Sequence, residues 1–235
     1  MNNKTLVIIP SYNEQDNIAT LVEKLISKQV DVLVVDDNSP DGTSAIVSRL
    51  VVQYPEHVHL ITRMQGKSGR GSAVLAGFEW ALAKGYELVV EMDADFSHDP
   101  EELPTLIQKI ENADVVIGSR YLPQSRILNW PLRRRVFSWL ANKLARFMLR
   151  IPLSDYTNGY RCYRRSAIEK LDVSRIPETG YIVLSYVAGQ LWNAKCRFAE
   201  IPTVFVNRKR GASQVSKSEV FGALRGILRV RKYLS

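Results

Sequence analysis

Short apolar runs alternate along the chain with stretches whose apolar residues recur at helical spacing. Residues 5–9, Thr-Leu-Val-Ile-Ile, form a β-branched run that ends at Pro10 and predicts a buried strand. Ile18, Leu21, Val22, Leu25 and Ile26 then share one helical face, with Asn13 or Asp16 available as the cap. A strand is predicted over 30–35, a helix over 45–52 and a third strand over 58–61. A glycine-rich stretch at 66–71 leads into a helix over 73–83. A fourth strand (87–92), a helix (101–110) and a fifth strand (114–118) follow. This alternation predicts an α/β fold, a doubly wound and mostly parallel sheet flanked by helices. Such sheets bind ligands beyond the carboxyl ends of their strands, where strand order reverses. The polar loops 10–14, 36–41 and 93–99 fall at those ends, so they are expected to converge on one sheet edge.

The second half has a different texture. Residues 127–150 mix Trp130, Leu132, Phe137, Trp139, Leu140, Phe147 and Met148 with six Arg or Lys and no acidic residue. The later part of this segment reads as a helix starting near Pro131. A polar, aromatic loop is predicted over 155–165, an apolar helix over 181–192 and a strand over 198–206. A basic loop (209–218) and a last helix (219–234) with Val220, Leu224, Ile227 and Leu228 on one face complete the pattern.

Charge sharpens the division. The net charge of +8 hides 9 Lys+Arg against 18 Asp+Glu in residues 1–119, and 23 against 6 in residues 120–235. A balance this uneven implies that the second half meets an anion: nucleic acid, anionic lipid or a phosphorylated substrate. Cations interleaved with large aromatics on amphipathic helices suit a membrane surface. No nucleic-acid-binding motif is present, so a nucleic-acid-binding module is the remote alternative. No run of 18 apolar residues and no signal-peptide pattern occurs, and Cys162 and Cys196 match no metal spacing. These features predict a cytoplasmic protein, peripheral on the cytosolic membrane face.

The candidate chemistry centres on Asp93-Ala94-Asp95 at the end of the fourth predicted strand. Two carboxylates one residue apart form a hard-oxygen clamp for Mg²⁺ or Mn²⁺, ions that usually grip a substrate's phosphates. Tyr12 can stack on a base, and Glu14, Asp36 and Asp37 can accept hydrogen bonds from a base or ribose. Asp41 or Thr43 caps the next helix. The 66–71 stretch lacks phosphate-loop spacing, and its basic side chains either approach an anionic donor or serve the turn. His98 reads as a hydrogen-bonded structural group. Arg120 either binds a phosphate or forms a salt bridge. Arg133, Arg134, Arg135 and Ser138 can clamp an acceptor phosphate, and Arg208-Lys209-Arg210-Gly211 suits closure over a diphosphate.

In order along the chain, Ile9-Pro10-Ser11-Tyr12-Asn13-Glu14, residues 36–43, Gly69-Arg70-Gly71, residues 93–101, Gly118-Ser119-Arg120-Tyr121, residues 155–161 and residues 205–213 resemble the family-2 glycosyltransferases of GT-A fold. The similarity is to their dolichol/polyprenol-phosphate mannose synthase branch. It implies one GT-A catalytic domain over 1–235, with a nucleotide-sugar-binding half (1–119) and an acceptor-binding half (120–235). Membrane-interface helices would lie at about 127–150 and 219–234. The implied reaction is inverting transfer of mannose from GDP-mannose to a polyprenyl phosphate, with Mg²⁺ or Mn²⁺ as cofactor. By motif match, Pro10, Tyr12, Glu14, Val35 and Asp37 hold the guanosine. Asp93, Ala94 and Asp95 hold diphosphate and metal, with Asp95 the direct ligand and Ser97 at a further ligand position. Arg120 and Arg208 reach donor phosphates or sugar, and Arg134 and Ser138 reach the acceptor phosphate. Gln214 stands where many relatives carry a diphosphate-binding Lys. Another nucleotide sugar such as UDP-glucose, a non-lipid acceptor and a separate membrane-anchoring subunit stay open.

Overall fold

The computed structural model describes residues 4–64, 69–176, 180, 182–207 and 226–231. Its first unit is β1 (Thr5–Ser11), α1 (Ile18–Ile26), β2 (Asp31–Asp36), α2 (Thr43–Gln53) and β3 (Val58–Thr62). Next come α3 (Arg70–Ala83), β4 (Leu88–Glu91), α4 (Leu103–Lys109) and β5 (Val115–Ser119). The later elements are β6 (Arg126–Leu128), α5 (Leu132–Leu149), β7 (Arg161–Arg164), α6 (Arg165–Ile168), α7 (Ile182–Asn193), β8 (Phe198–Pro202) and β9 (Val204–Val206).

Seven strands form one sheet in the order β3-β2-β1-β4-β7-β5-β8. All pair in parallel except β7, which is antiparallel to both β4 and β5. Strand order reverses between β1 and β4, so the loops after these two strands flank the crevice where such sheets bind ligands. Alternation along each strand feeds two cores. Leu6 and Ile8 of β1 join Leu33, Val35 and Val89 under α3 and α7, while Val7 and Ile9 join Val32, Val34 and Val90 under α1 and α4. Both faces are covered, which is why these strands read as continuous apolar runs.

Two readings of the chain change. The 155–165 loop contains β7, whose Arg-Cys-Tyr-Arg sequence carries no apolar run. Arg161 is nevertheless fully buried, because its guanidinium donates to the carbonyls of Asn158, Leu184 and Tyr156 at 2.8, 3.0 and 2.9 Å. The 198–206 strand is two strands, since Pro202 lacks an N–H and Thr203 turns the chain. The second of them, β9, leaves the main sheet and pairs with β6. Residues 226–231 are helical, and the rest of the predicted last helix lies outside the described residues.

Candidate active site

The ends of β1 and β2 are level, with Ser11 opposite Asp36 and Pro10 opposite Val35. Most polar atoms of residues 36–43 shape the loop. Asp36 is buried and accepts from the Ser39 N–H at 2.9 Å, the Ser39 hydroxyl at 2.6 Å and the Ser44 hydroxyl. Asp41 accepts from the Thr43 N–H at 3.0 Å and its hydroxyl at 2.6 Å. Burial works to raise the Asp41 carboxyl, but these bonds prevail and hold it below the usual carboxylate range. The β1 loop rests on this frame: the N–H groups of Asn13, Glu14 and Gln15 donate to Ser39 Oγ, Thr43 Oγ1 and Asp41 Oδ2 at 3.0, 3.0 and 3.1 Å.

Among the guanosine candidates, Tyr12 is exposed and Glu14 is partly buried, accepting from Asn17 Nδ2 at 2.9 Å. Val35 is fully buried in the core and presents no side chain to a ligand; it sits beside Pro10 in the sheet. Asp37 is held by Arg63, whose Nε lies 2.6 Å from Oδ1, and by the Gly69 N–H at 3.1 Å. Arg63 went unread in the sequence, where it is only a cation just past a strand. The buried Ser11 hydroxyl has no hydrogen-bond partner among the described residues, an open polar atom in the floor of this crevice.

Asp93 and Asp95 emerge beyond β4, with Ala94 between them packed into the core. Arg70, the first residue of α3, turns inward rather than toward a donor. Its Nε donates to Asp93 Oδ1 at 2.7 Å, Nη1 to the fully buried Glu91 at 3.2 Å and Nη2 to the Gly159 carbonyl at 3.2 Å. A Cβ at position 159 would lie 1.9 Å from Arg70 Nη2, so only glycine leaves room for the fork. Asp95 Oδ1 accepts from the Ser97 N–H at 3.0 Å, placing Ser97, itself buried, on the same turn. His98 is buried too. The Asp93 N–H donates to its Nδ1 at 3.1 Å, which leaves the ring proton on Nε2 to reach Asn158 Oδ1 at 2.8 Å.

Among the described residues no three His, Cys, Asp or Glu side chains are grouped to hold a metal ion. Two carboxylates and a serine on one turn are a hard-oxygen set. They fit a divalent ion shared with a substrate's phosphates rather than one enclosed by protein.

A cationic cluster forms the other pole. Arg120 follows β5 and grips the fully buried Asp155, with Nε and Nη2 at 2.7 and 2.8 Å from its two oxygens; Nη2 also reaches Thr157 Oγ1 at 2.6 Å. Burial would raise the Asp155 carboxyl, but the Arg120 charge holds it low. The Arg120 guanidinium lies 5.3–5.6 Å from the ring centres of Tyr121, Trp130 and Phe205. Arg134 caps the Trp130 ring at 4.1 Å and donates to Asn207 Oδ1 at 2.9 Å. One turn on, Ser138 Oγ accepts from the Tyr121 hydroxyl at 2.6 Å. The buried side of α5 carries Asn142, Ala145 and Leu149. Its other side exposes Leu132 (74%), Val136, Trp139, Leu140 and Phe147 (77%), with Arg133, Arg135, Lys143 and Arg146 exposed around them.

Strand β9 joins the two poles. Phe205 bridges to His98 and the Val206 N–H donates to the Ser97 carbonyl at 3.1 Å, while the Asn207 N–H donates to Leu128 at 3.1 Å. Arg208 and Gln214 lie outside the described residues.

The sequence profile described as glycosyl transferase family 2 matches residues 6–172. The polyprenol monophosphomannose synthase of Mycolicibacterium smegmatis is 44% identical over 224 residues, spanning 94% of this chain and 84% of that protein. The undecaprenyl-phosphate mannosyltransferase of Micrococcus luteus is 39% identical over 231 residues, spanning 96% and 93%. In fold, the chain resembles a Pyrobaculum calidifontis mannosyltransferase solved with GDP-Man and Mn²⁺, with a TM-score of 0.61, 18% identity, and coverage of 98% and 69%.

Proposed function

The chain belongs to glycosyl transferase family 2, and on that premise we propose that it transfers mannose from GDP-mannose to a polyprenyl phosphate, with inversion, at a membrane surface. The observation that carries this reading is the pairing, across β9, of a carboxylate loop at the strand-order switch with an arginine–aromatic cluster against α5. The first suits a nucleotide diphosphate and the second a phosphate ester. Relatives named for polyprenol- and undecaprenyl-phosphate mannosyl transfer support the mannosyl group and the lipid phosphate acceptor.

The nucleotide would lie against Pro10, Tyr12, Glu14 and Asp37, with Arg63 and Gly69 fixing the Asp37 carboxylate. Asp93 and Asp95, with Ser97 on the same turn, would hold Mg²⁺ or Mn²⁺, which when bound would neutralise charge on the departing diphosphate. The acceptor phosphate is already ionised near neutral pH, so its oxygen attacks the anomeric carbon without a strong general base. What the protein supplies is alignment and fixed positive charge. Arg134 and Ser138 would seat the acceptor phosphate. Arg120, bound to Asp155 through two nitrogens, anchors the aromatic wall; Arg208 would reach the donor from the segment after β9. The exposed apolar face of α5, ringed by cations, would lie in the headgroup region and bring the site to its lipid.

The test incubates purified protein with polyprenyl phosphate, Mg²⁺ or Mn²⁺, and a panel of labelled nucleotide sugars that includes GDP-mannose and UDP-glucose, followed by lipid extraction. Label from GDP-mannose alone in the lipid phase is expected. Label from another sugar, or none in lipid, would overturn the assignment of donor or acceptor.

A further inference from the structure

The indole Nε1 of Trp130 is buried and has no hydrogen-bond partner among the described residues. An indole N–H can only donate, and native structures rarely leave such a group unbonded unless a ligand, ion or water completes it. Trp130 is only 7% exposed. Phe205 packs edge-on at 5.3 Å, Arg134 covers the ring at 4.1 Å and Arg120 stands 5.4 Å away. One turn of α5 beyond Arg134, Ser138 Oγ accepts from Tyr121, so its own proton is directed elsewhere. Burial raises the Tyr121 phenol, which therefore stays protonated as the donor of that pair. An indole N–H, a guanidinium and a hydroxyl proton thus belong to residues of one cluster, and all three are donors. That is the composition of an oxyanion seat.

We propose that Trp130 is an acceptor-binding residue, its indole N–H donating to a terminal oxygen of the phosphate monoester held by Arg134 and Ser138. This rests on the polyprenyl-phosphate reading of the acceptor. A phosphate monoester has three terminal oxygens. Arg134 engages one, Trp130 and Ser138 share a second, and the third is left to attack the sugar. Arg134 is only partly buried.

The chain has four tryptophans, so ¹⁵N-indole labelling gives four resolvable signals, assigned through Trp→Phe variants. The intact protein is titrated with dimethylallyl phosphate and, in parallel, with dimethylallyl alcohol. The Trp130 indole proton is expected to move downfield with the phosphate and not with the alcohol, while Trp80, packed beside His59 of β3 and Tyr86, stays in place. Trp130→Phe keeps the ring and removes the donor. It is expected to raise the KM for polyprenyl phosphate about 10- to 100-fold, the range for losing one hydrogen bond to a charged group. The KM for the nucleotide sugar and the Tm should stay near wild type. If a buried water completes the N–H instead, the Trp130 signal ignores the phosphate and the variant's acceptor KM is unchanged; either result overturns the proposal. Wild-type protein that transfers to no isoprenyl phosphate overturns the acceptor reading and this proposal together. Transfer with an unmoved Trp130 signal overturns this proposal alone.

Discussion

Arg70 Nε donates to Asp93 Oδ1 at 2.7 Å, tying the first residue of α3 to the first carboxylate of the loop after β4. The same guanidinium reaches Glu91, the fully buried last residue of β4 two positions earlier, which also accepts from the Tyr163 hydroxyl at 2.6 Å. Arg70 therefore both pairs with a buried acid and fixes the rotamer of Asp93, the carboxylate proposed to face the metal. Arg70→Gln is expected to lower turnover about 10- to 100-fold, the range for losing hydrogen bonds to charged groups. Arg70→Lys should recover only part, because it keeps the charge without the fork. The Mn²⁺ dependence of initial rates, with Mn²⁺ binding followed by EPR, separates a weakened ion site from general loss of fold.

Asp95 lies on the turn closed by the Ser97 N–H and is not part of the core. Asp95→Ala should therefore leave the thermal unfolding midpoint within a few degrees of wild type. Transfer should fall by about 10³-fold or more, since a metal-held leaving group contributes several kcal/mol. Near-normal turnover by this variant would remove the carboxylate pair from the mechanism.

The Arg120–Asp155 pair predicts an acid limb to stability. Asp155 is depressed in the folded state, so its contribution is fully present above the usual Asp range near 4 and is lost as pH falls through the folded value. Asp155→Asn strands the Arg120 guanidinium among Tyr121, Trp130 and Phe205 and is expected to cost about 3–5 kcal/mol at neutral pH. Its midpoint should fall less steeply with acid than wild type. Parallel steep acid limbs in both proteins, from circular dichroism melts between pH 3 and 7, would assign the limb to other groups.

On α5, Phe147 and Leu132 are too exposed to stabilise the fold. Phe147→Ser and Leu132→Ser should leave the melting temperature nearly unchanged. Each should weaken binding to anionic vesicles roughly 10-fold, since burying such a side chain is worth about 1.5–3 kcal/mol. Arg133→Gln and Arg146→Gln should instead flatten the salt dependence of vesicle binding. Sedimentation with vesicles of stated anionic fraction measures both; unchanged partitioning in all four variants would exclude this face as the membrane surface.

The sequence alone determined the alternating core of the sheet. β1, β2, β4 and β5 are apolar runs because both of their faces are buried, and a doubly covered strand leaves that mark in composition. It also determined the positions of Asp37, Asp93 and Asp95, which follow those runs directly, and the unequal charge of the two halves. Only the tertiary structure decided what the polar residues do. Asp36 serves a turn, Arg70 turns toward carboxylates and Arg120 answers Asp155, although each of these also had a ligand reading in one dimension, and Arg63, which had none, holds Asp37. β7 stayed hidden because Arg161 is satisfied by carbonyls brought from α7 and from the loop before it, and Arg164 by carbonyls of residues 110–113. Trp130 stayed hidden because an unbonded N–H exists only once every neighbour is in place. Hydrophobic burial is periodic along the chain and so is written locally. Some hydrogen-bond and charge partners come from far along the chain, 23 positions for Arg70 with Asp93 and 101 for Thr203 with Glu102, and no local pattern encodes such a choice.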